Sequence, residues 1–185
     1  FYRIKAVNIS GVESGYSSQV NAIVRDTLNV PADYSTIQAA LSNAAEGSCI
    51  LVQPGEYQEN LFWPDISLVK LLAAGDSSNT IIRGNGSGSV IYVNPVNSIL
   101  DTNTVIEGFT ITGGGNTQNG GGIFISDANI RLERLLITGN SATSNGGGIC
   151  LVNSKTVLLA SKILLNTAQS GGGLYIDDGK PTVDN

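Results

Sequence analysis

Beyond residue 48 the chain alternates short apolar stretches with Gly, Asn, Ser and Asp. Residues 49–52 and 90–93 are typical, since each is a brief apolar or aromatic run bounded by turn-forming residues. Such runs predict strands rather than helices, because a strand needs only a few residues and a helix needs about ten or more. We therefore expect an all-β fold for this part of the chain.

One helix is predicted, between residues 34 and 47. Ser35 and Gln38 have the spacing of a capping box, and Gly47 is a suitable C-terminal stop. Apolar residues recur with helical spacing along one face, at Ile37, Ala40, Leu41 and Ala44. We expect this face to pack on the strands that follow.

The segment before the helix has a different pattern. Residues 1–25 predict two strands around a Gly- and Ser-rich turn at 10–15, and residues 26–33 predict a short linker containing Pro31. A lone hairpin is marginally stable in water, so we expect it to pack on the rest of the chain or on a partner. Because Phe1 opens directly into this pattern, we expect the chain to be a piece of a longer protein, truncated at its C-terminal end.

An internal repeat is the most informative feature of the sequence. A Gly triplet occurs at 120–122, 146–148 and 171–173, with spacings of 26 and 25 residues. Other positions keep the same period, namely Ile106, Leu132 and Leu158; Ile111, Ile137 and Ile163; and Asn140 with Asn166. One repeat of short strands cannot bury its own apolar face, so successive repeats must stack.

Stacking in parallel register places equal residues above one another at about 4.8 Å, the spacing between strands. Ile then stacks on Ile inside the stack, and Asn stacks on Asn at a bend. The Gly triplets lie where the backbone needs a positive φ or packs too closely for a side chain. A leucine-rich repeat has a similar period, but the Gly triplets do not fit its Leu-x-x-Leu-x-Leu pattern. The prediction is a right-handed parallel β-helix over residues 34–185, with the helix as its N-terminal cap.

Both cysteines, Cys49 and Cys150, are expected to be free thiols. Their separation of 101 residues corresponds to about four coils. At ~4.8 Å per coil this is roughly 19 Å along the axis. A disulfide requires Cα atoms within about 7 Å.

Composition excludes several classes of function. The chain has 15 acidic and 10 basic residues and a net charge of −5, so it lacks the basic footprint of a nucleic-acid-binding protein. No apolar run approaches the roughly 18 residues of a transmembrane helix. Histidine is absent, which excludes a Ser-His-Asp triad or a histidine metal site within this chain.

Three parts of the chain resemble known families. A resemblance to the opening of secreted pectin-lyase-like β-helix proteins is carried by residues 33–41, 50–59 and 80–84. The Gly-Gly-x-Ile and x-x-x-Asn motifs within 105–176 look like the repeats of polymorphic outer-membrane proteins and related bacterial surface β-helices. Residues 1–25 resemble the last two strands of a fibronectin type III domain. These resemblances imply a secreted or cell-surface protein.

The pectin-lyase-like fold carries lyases, glycosidases, esterases and non-enzymes, so it does not decide the chemistry. Of the polygalacturonase-like catalytic pattern, only the acidic pair at 177–178 is present. Glu107 and Glu133 lie one repeat apart and would stack at about 5 Å, the separation found in retaining glycosidases. Alternatively, they lie on a solvated outer face where Arg131 and Arg134 neutralise them.

A calcium site is a second candidate. Its ligands would be oxygen atoms of residues that follow the Gly triplets at intervals of about one repeat, namely Asp127, Asn153, Asp177 and Asp178. A polar turn without a metal predicts the same residues. No cofactor is required by the sequence, and Ca²⁺ is the one for which it offers ligands.

Aromatic residues are few, and the cluster at 62–64 (Phe-Trp-Pro) is the most conspicuous. It is either a stacking platform for sugars or a cover for the capped end of the β-helix.

Two functions remain. The first is a non-catalytic extracellular or cell-surface β-helix that acts as scaffold, adhesin or filament subunit. The second is a fragment of a polysaccharide lyase or glycoside hydrolase whose catalytic coils lie outside this sequence. The partners expected are a polysaccharide, or further copies of the chain that pair through the ends of the β-helix or the N-terminal hairpin.

Overall fold

The structure, a computed structural model, describes residues 7, 10–13 and 27–184. Strands dominate them, in the order β1 (Thr27–Val30), α1 (Ile37–Ser42), β2 (Cys49–Val52), β3 (Gly55–Gln58), β4 (Leu61–Phe62), β5 (Lys70–Ala73), β6 (Thr80–Arg83), β7 (Ile91–Val93), β8 (Val105–Glu107), β9 (Thr110–Thr112), β10 (Ile123–Ser126), β11 (Arg131–Glu133), β12 (Leu136–Thr138), β13 (Ile149–Val152), β14 (Val157–Leu159), β15 (Lys162–Leu164), β16 (Leu174–Asp177) and β17 (Thr182–Asp184). This order confirms the all-β class.

The strands form three parallel sheets, and the chain visits each sheet once per coil. Sheet I has the order β1-β2-β5-β8-β11-β14-β17, sheet II has β3-β6-β9-β12-β15, and sheet III has β4-β7-β10-β13-β16. Every pairing between these strands is parallel. The result is a parallel β-solenoid of about six coils, as the repeat predicts.

The interior consists of files of equal apolar residues. In sheet II, Ile137 pairs with Ile111 on one side and with Ile163 on the other, as the sequence predicts. Ile111 and Ile137 are fully buried, and Ile163 packs against them. Sheet I contains the second predicted file, Ile106, Leu132 and Leu158. Burial of these files is the main favourable contribution to folding.

A ladder of asparagines satisfies buried backbone groups at one bend. Asn140, which is 2 % exposed, accepts from the Gly114 N–H at 2.9 Å and donates from Nδ2 to the Ile111 carbonyl at 3.0 Å. Its Nδ2 also donates to Oδ1 of Asn166, in the next coil, at 3.0 Å. The predicted Asn-on-Asn contact is therefore confirmed. It replaces backbone hydrogen bonds that the strands cannot form where the chain turns.

Each of the described coils from residue 105 onwards turns through left-handed residues at fixed positions. Four columns of equivalent residues have positive φ, namely Gly108, Arg134 and Ala160; Gly113, Gly139 and Leu165; Gly120, Gly146 and Gly171; and Asp127, Asn153 and Asp178. Glycine adopts this conformation without a Cβ penalty, and Asn and Asp tolerate it better than other residues do. Leucine and arginine are strained there.

Replacing Leu165 by Gly is expected to raise the free energy of unfolding by about 1 kcal/mol, because it removes this strain. Leu165 is 80 % exposed and has a φ of 57°, so the substitution gives up little buried surface. Urea unfolding followed by circular dichroism measures the change. Leu164→Gly, in the adjacent strand β15, is the control and should lower stability. A gain from both substitutions, or from neither, would contradict the argument from φ.

The helix α1 forms within the predicted segment but begins and ends differently. Its N-cap is Thr36 rather than Ser35, with the Ala39 N–H donating to Thr36 Oγ1 at 3.1 Å. Gln38 does not complete a capping box, since its side chain bonds the backbone of Phe62. The Glu59 carboxylate instead accepts from the first helical N–H groups, at 2.9 Å. The helix packs against β1, β2 and β4, and its function as an end cap stays a prediction.

Strand β1 lies in the segment that the sequence analysis assigned to a linker. Thr27–Val30 pairs in parallel with β2 and so belongs to sheet I. The run is short, and Pro31 follows it, which explains why its pattern does not stand out. The hairpin predicted for residues 1–25 lies largely outside the described residues, in which Val7 and Glu13 form an isolated antiparallel bridge. Among the described helices, none has the length and apolar character to cross a membrane.

Candidate functional site

Glu107 and Glu133 lie directly opposite each other on neighbouring strands of sheet I, as their spacing predicts. Arg134 forms ion pairs with both carboxylates, at 2.8 Å to Glu133, and Arg131 lies 3.4 Å from Glu133. A retaining glycosidase needs one carboxyl group protonated and the other free to attack. The ion pairs favour the alternative interpretation, in which arginines neutralise two carboxylates on an outer face.

Three of the four calcium candidates form a column on successive coils, and the fourth, Asp177, lies outside it. Asp127, Asn153 and Asp178 occupy equivalent left-handed positions, whereas Asp177 pairs with Val152 inside a strand. Hydrogen bonds from Ser126 Oγ and Asn153 Nδ2 hold the pKa of Asp127 below its ordinary value. The carboxylate of Asp127 is therefore already engaged by donors within the turn.

The surroundings of this column are mixed in charge. The three residues border a groove of about 410 Å³ that Lys155 and Lys180 also line. Within the described residues, no group of three or more His, Cys, Asp or Glu side chains is placed to hold a metal ion. The oxygen atoms of the column suit Ca²⁺, but the Asn153 amide would have to turn its oxygen towards Asp127, and the lysines repel a cation.

Calcium binding at this column remains a prediction that a thermal melt can test. Binding to the folded state alone raises the melting temperature, by an amount that grows with the logarithm of the free ligand concentration above the dissociation constant. We expect saturating Ca²⁺ to raise it if the column is a site, and Asp127→Asn to abolish that rise. A melting temperature that Ca²⁺ leaves unchanged would dispose of the site.

The two cysteines are free in the structure, as predicted, and neither has the environment of a reactive thiol. Burial raises the pKa of the Cys150 thiol to about 11, with a smaller contribution from nearby Asp177. Burial also raises the pKa of Cys49, partly offset by Lys70. Both side chains are therefore protonated thiols near neutral pH.

The outer face of sheet III carries a feature that the sequence analysis missed, a column of aromatic rings. Phe62, Tyr92 and Phe124 pair in register on β4, β7 and β10, and we call them the aromatic column. The strand residues on either side of Tyr92 and of Phe124 are buried, so these rings point outwards. The centroids of Phe62 and Tyr92 are 6.1 Å apart, and the Tyr92 and Phe124 rings stack at 5.1 Å.

The predicted aromatic cluster at 62–64 is thus divided between two environments. Trp63 is only 8 % exposed and packs in the core, whereas Phe62 is 63 % exposed and begins the aromatic column. The spacings of the column, 30 residues from Phe62 to Tyr92 and 32 from Tyr92 to Phe124, differ from the repeat because loops lengthen the earlier coils. The signal that could have found it is an aromatic residue flanked on both sides by apolar or aromatic residues, which occurs at 61–63, 91–93 and 123–125.

A polar loop beside the column completes a groove of about 400 Å³. Tyr92 and Phe124 line one side, and residues 116–119, which we call the amide loop, line the other. The loop leads into Gly120, where a Cβ would lie 2.8 Å from the Cβ of Phe124. Glycine at the head of the triplet therefore allows the chain to pass closely over the aromatic column.

These arrangements offer two kinds of chemistry, a neutralised carboxylate pair on sheet I and an uncharged aromatic groove on sheet III. The second is better suited to binding than to catalysis, because its lining residues carry no strong acid or base. No family model matches the chain, and none of the curated proteins is significantly similar to it.

Proposed function

We propose that the chain is a non-catalytic binding module of an extracellular or cell-surface protein, acting as scaffold or adhesin. The observation that carries this proposal is the groove on sheet III, where equivalent positions of successive coils present aromatic rings beside an uncharged polar loop. A solenoid suits such a role because its outer face extends rigidly along the axis.

The finer assignment is to a pectin-lyase-like β-helix, preceded by a fibronectin type III-like segment. It is supported by the motifs in 33–41, 50–59 and 80–84, and by the surface-protein character of the repeats within 105–176. Both resemblances are to secreted or surface-exposed proteins, and they support the extracellular location.

Incubation with soluble polysaccharides tests the proposal. The protein is mixed with neutral and uronic-acid polymers, with and without Ca²⁺, and cleavage is followed by new reducing ends and by the absorbance of unsaturated uronates. We expect no cleavage of any polymer. Robust cleavage by this chain alone would overturn the proposal.

A second candidate, a carbohydrate-active enzyme that acts through carboxylates of this chain itself, is favoured by one observation, the direct opposition of Glu107 and Glu133. It predicts cleavage that Glu107→Gln and Glu133→Gln each abolish. Glu56→Gln is the control, because Glu56 is an exposed ion-paired carboxylate on sheet II. Loss of cleavage in all three variants would argue for destabilisation rather than catalysis.

Assembly into filaments is a variant of the scaffold function. It predicts a particle mass that grows with protein concentration in light scattering. A constant monomeric mass would exclude it while leaving the binding function intact.

A further inference from the structure

We infer that residues 1–25, which lie largely outside the described part of the chain, pack on one corner of the solenoid. This corner is formed by the segments that lead into β2, β5 and β8, namely residues 43–48, 63–69 and 94–104, and we call it the acidic corner. The inference concerns a surface other than the groove on sheet III and does not depend on the proposed function.

The three segments of the acidic corner are tied to one another by hydrogen bonds. The Gly47 N–H donates to the Ser67 carbonyl at 3.3 Å. The Asp65 carboxylate accepts from the backbone N–H groups of Asn97 and Ser98, each at 2.8 Å. The corner is therefore an ordered surface that spans successive coils.

Large apolar side chains project from this ordered surface. Val96 and Ile99 are each 84 % exposed, and Phe62, which immediately precedes the second segment, is 63 % exposed. Because Asp65 fixes residues 97–98, which lie between Val96 and Ile99, both aliphatic side chains are held at the surface. Removing them from water would be favourable, so the corner suits an apolar partner.

Residues 1–25 join the solenoid at this corner. Thr27, the first residue of β1, pairs with Cys49 at the start of β2. Cys49 in turn pairs with Lys70, and Lys70 pairs with Val105, so the chain enters about three coil spacings, roughly 14 Å, from the furthest segment. Five extended residues span about 16 Å. The residues that precede β1 can therefore cover the whole height of the corner.

The corner and residues 1–25 are opposite in charge. Each segment of the corner contains one carboxylate and no lysine or arginine, and these carboxylates are Glu46, Asp65 and Asp101. Residues 1–25 contain a basic excess, with Arg3, Lys5 and Arg25 against Glu13, in a chain whose net charge is −5. The equivalent segments of the last two coils contain Lys155 and Lys180, so they lack this complementarity. Opposite charge directs residues 1–25 to the acidic corner rather than to the later ones.

The apolar pattern of residues 1–25 also matches the corner. Apolar residues alternate in two runs, which are Tyr2, Ile4 and Ala6, and Val20, Ala22 and Val24. Alternate residues of an extended chain point to the same side, so each run has one apolar face. Val7, which belongs to the opposite set, is 63 % exposed. Packing on the corner gives both the exposed aliphatic side chains and these faces an apolar partner.

Labelling of introduced cysteines tests the inference on the whole chain. Val96→Cys and Ile99→Cys place thiols at side chains that are 84 % exposed in the structure, and Leu165→Cys is the matched control at a distant side chain that is 80 % exposed. We expect a maleimide to label the first two about tenfold more slowly than the control, the ratio for a cover present about nine-tenths of the time. Peptide mass spectrometry locates each label. Equal rates at all three positions would overturn the inference.

Substitutions in residues 1–25 identify the cover. Val20→Asp combined with Val24→Asp should abolish the slow labelling, because it would bury two carboxylates against apolar side chains. Val7→Asp is the matched control and should leave labelling slow, since Val7 is exposed. Slow labelling that persists in the double variant would overturn the inference, because something other than residues 1–25 would then cover the corner.

Protein concentration distinguishes packing within one chain from packing between two. We expect the labelling ratio to be unchanged by dilution, because residues 1–25 and the corner belong to the same molecule. A ratio that approaches one on dilution would show that a second copy supplies the cover, and this would overturn packing within the chain.

Discussion

Replacing Gly122 by Ala is expected to lower the free energy of unfolding by about 3 kcal/mol, near the upper end for overpacking a core. The added Cβ would lie 2.6 Å from the Gly148 carbonyl oxygen and 3.0 Å from Cγ2 of Ile137. Both neighbours are fixed, one by the adjacent coil and the other by the interior file of isoleucines. Relief therefore requires neighbouring coils to separate.

Gly173→Ala is the matched control for this substitution. Gly173 occupies the same column as Gly122 and Gly148, but a Cβ there meets only Cγ2 of Ile163, at 3.3 Å. Both variants also lose the same backbone freedom in the unfolded state, so their difference isolates the contact between coils. Urea unfolding gives the two stabilities, and equal losses would show that the third glycine of the triplet is not required by packing.

Asn140→Asp is expected to lower stability by about 4 kcal/mol at neutral pH, in the range for an uncompensated buried charge. The Nδ2 of Asn140 donates to the carbonyls of Ile111 and Thr138 and to Oδ1 of Asn166. A carboxylate at this position would direct a negative charge at these acceptor oxygens. Burial and this repulsion raise the pKa of the introduced carboxyl group in the folded state.

The pH dependence of this variant has a definite sign. Because the folded-state pKa is above the unfolded one, the folded protein binds the extra proton, and stability falls as the pH rises through the folded pKa. The deficit relative to the original protein should therefore shrink towards acid pH, as measured by urea unfolding at several pH values. Asn166→Asp is the control, since Asn166 is half-buried and its Nδ2 has one carbonyl partner, Ile137. A deficit that is independent of pH would show that loss of the Nδ2 hydrogen bonds, not charge, decides the effect.

The parts of the fold that repeat were predictable from the sequence. Ile111, Ile137 and Ile163 share one file because a constant spacing in the sequence becomes a constant register in the sheet. The same reasoning placed Asn140 on Asn166. In these cases each coil acts as a template for the next, so a local pattern determines a contact between residues far apart in the chain.

The parts that do not repeat were not predictable in this way. Loops of unequal length separate Phe62, Tyr92 and Phe124, so the sequence gives no constant spacing that would align them. Strand β1 escaped recognition because Thr27–Val30 mixes polar and apolar residues and is followed at once by Pro31, whereas the equally short run 49–52 is apolar throughout. The pairing of Arg134 with Glu107 and Glu133 is one of the two predicted alternatives, but the left-handed backbone at Arg134 is not predictable, because its residue type does not favour it.

Exact register between coils has a consequence for how such a chain can change in length. Arg131 pairs with Val157, so excising residues 131–156 would join two chain ends that already sit in equivalent places. The shortened protein would lose one coil, and the pairing between the remaining coils would be preserved. Removal or duplication of one whole coil would therefore change the length of the outer face in steps of about 4.8 Å along the axis, without disturbing the coils that remain.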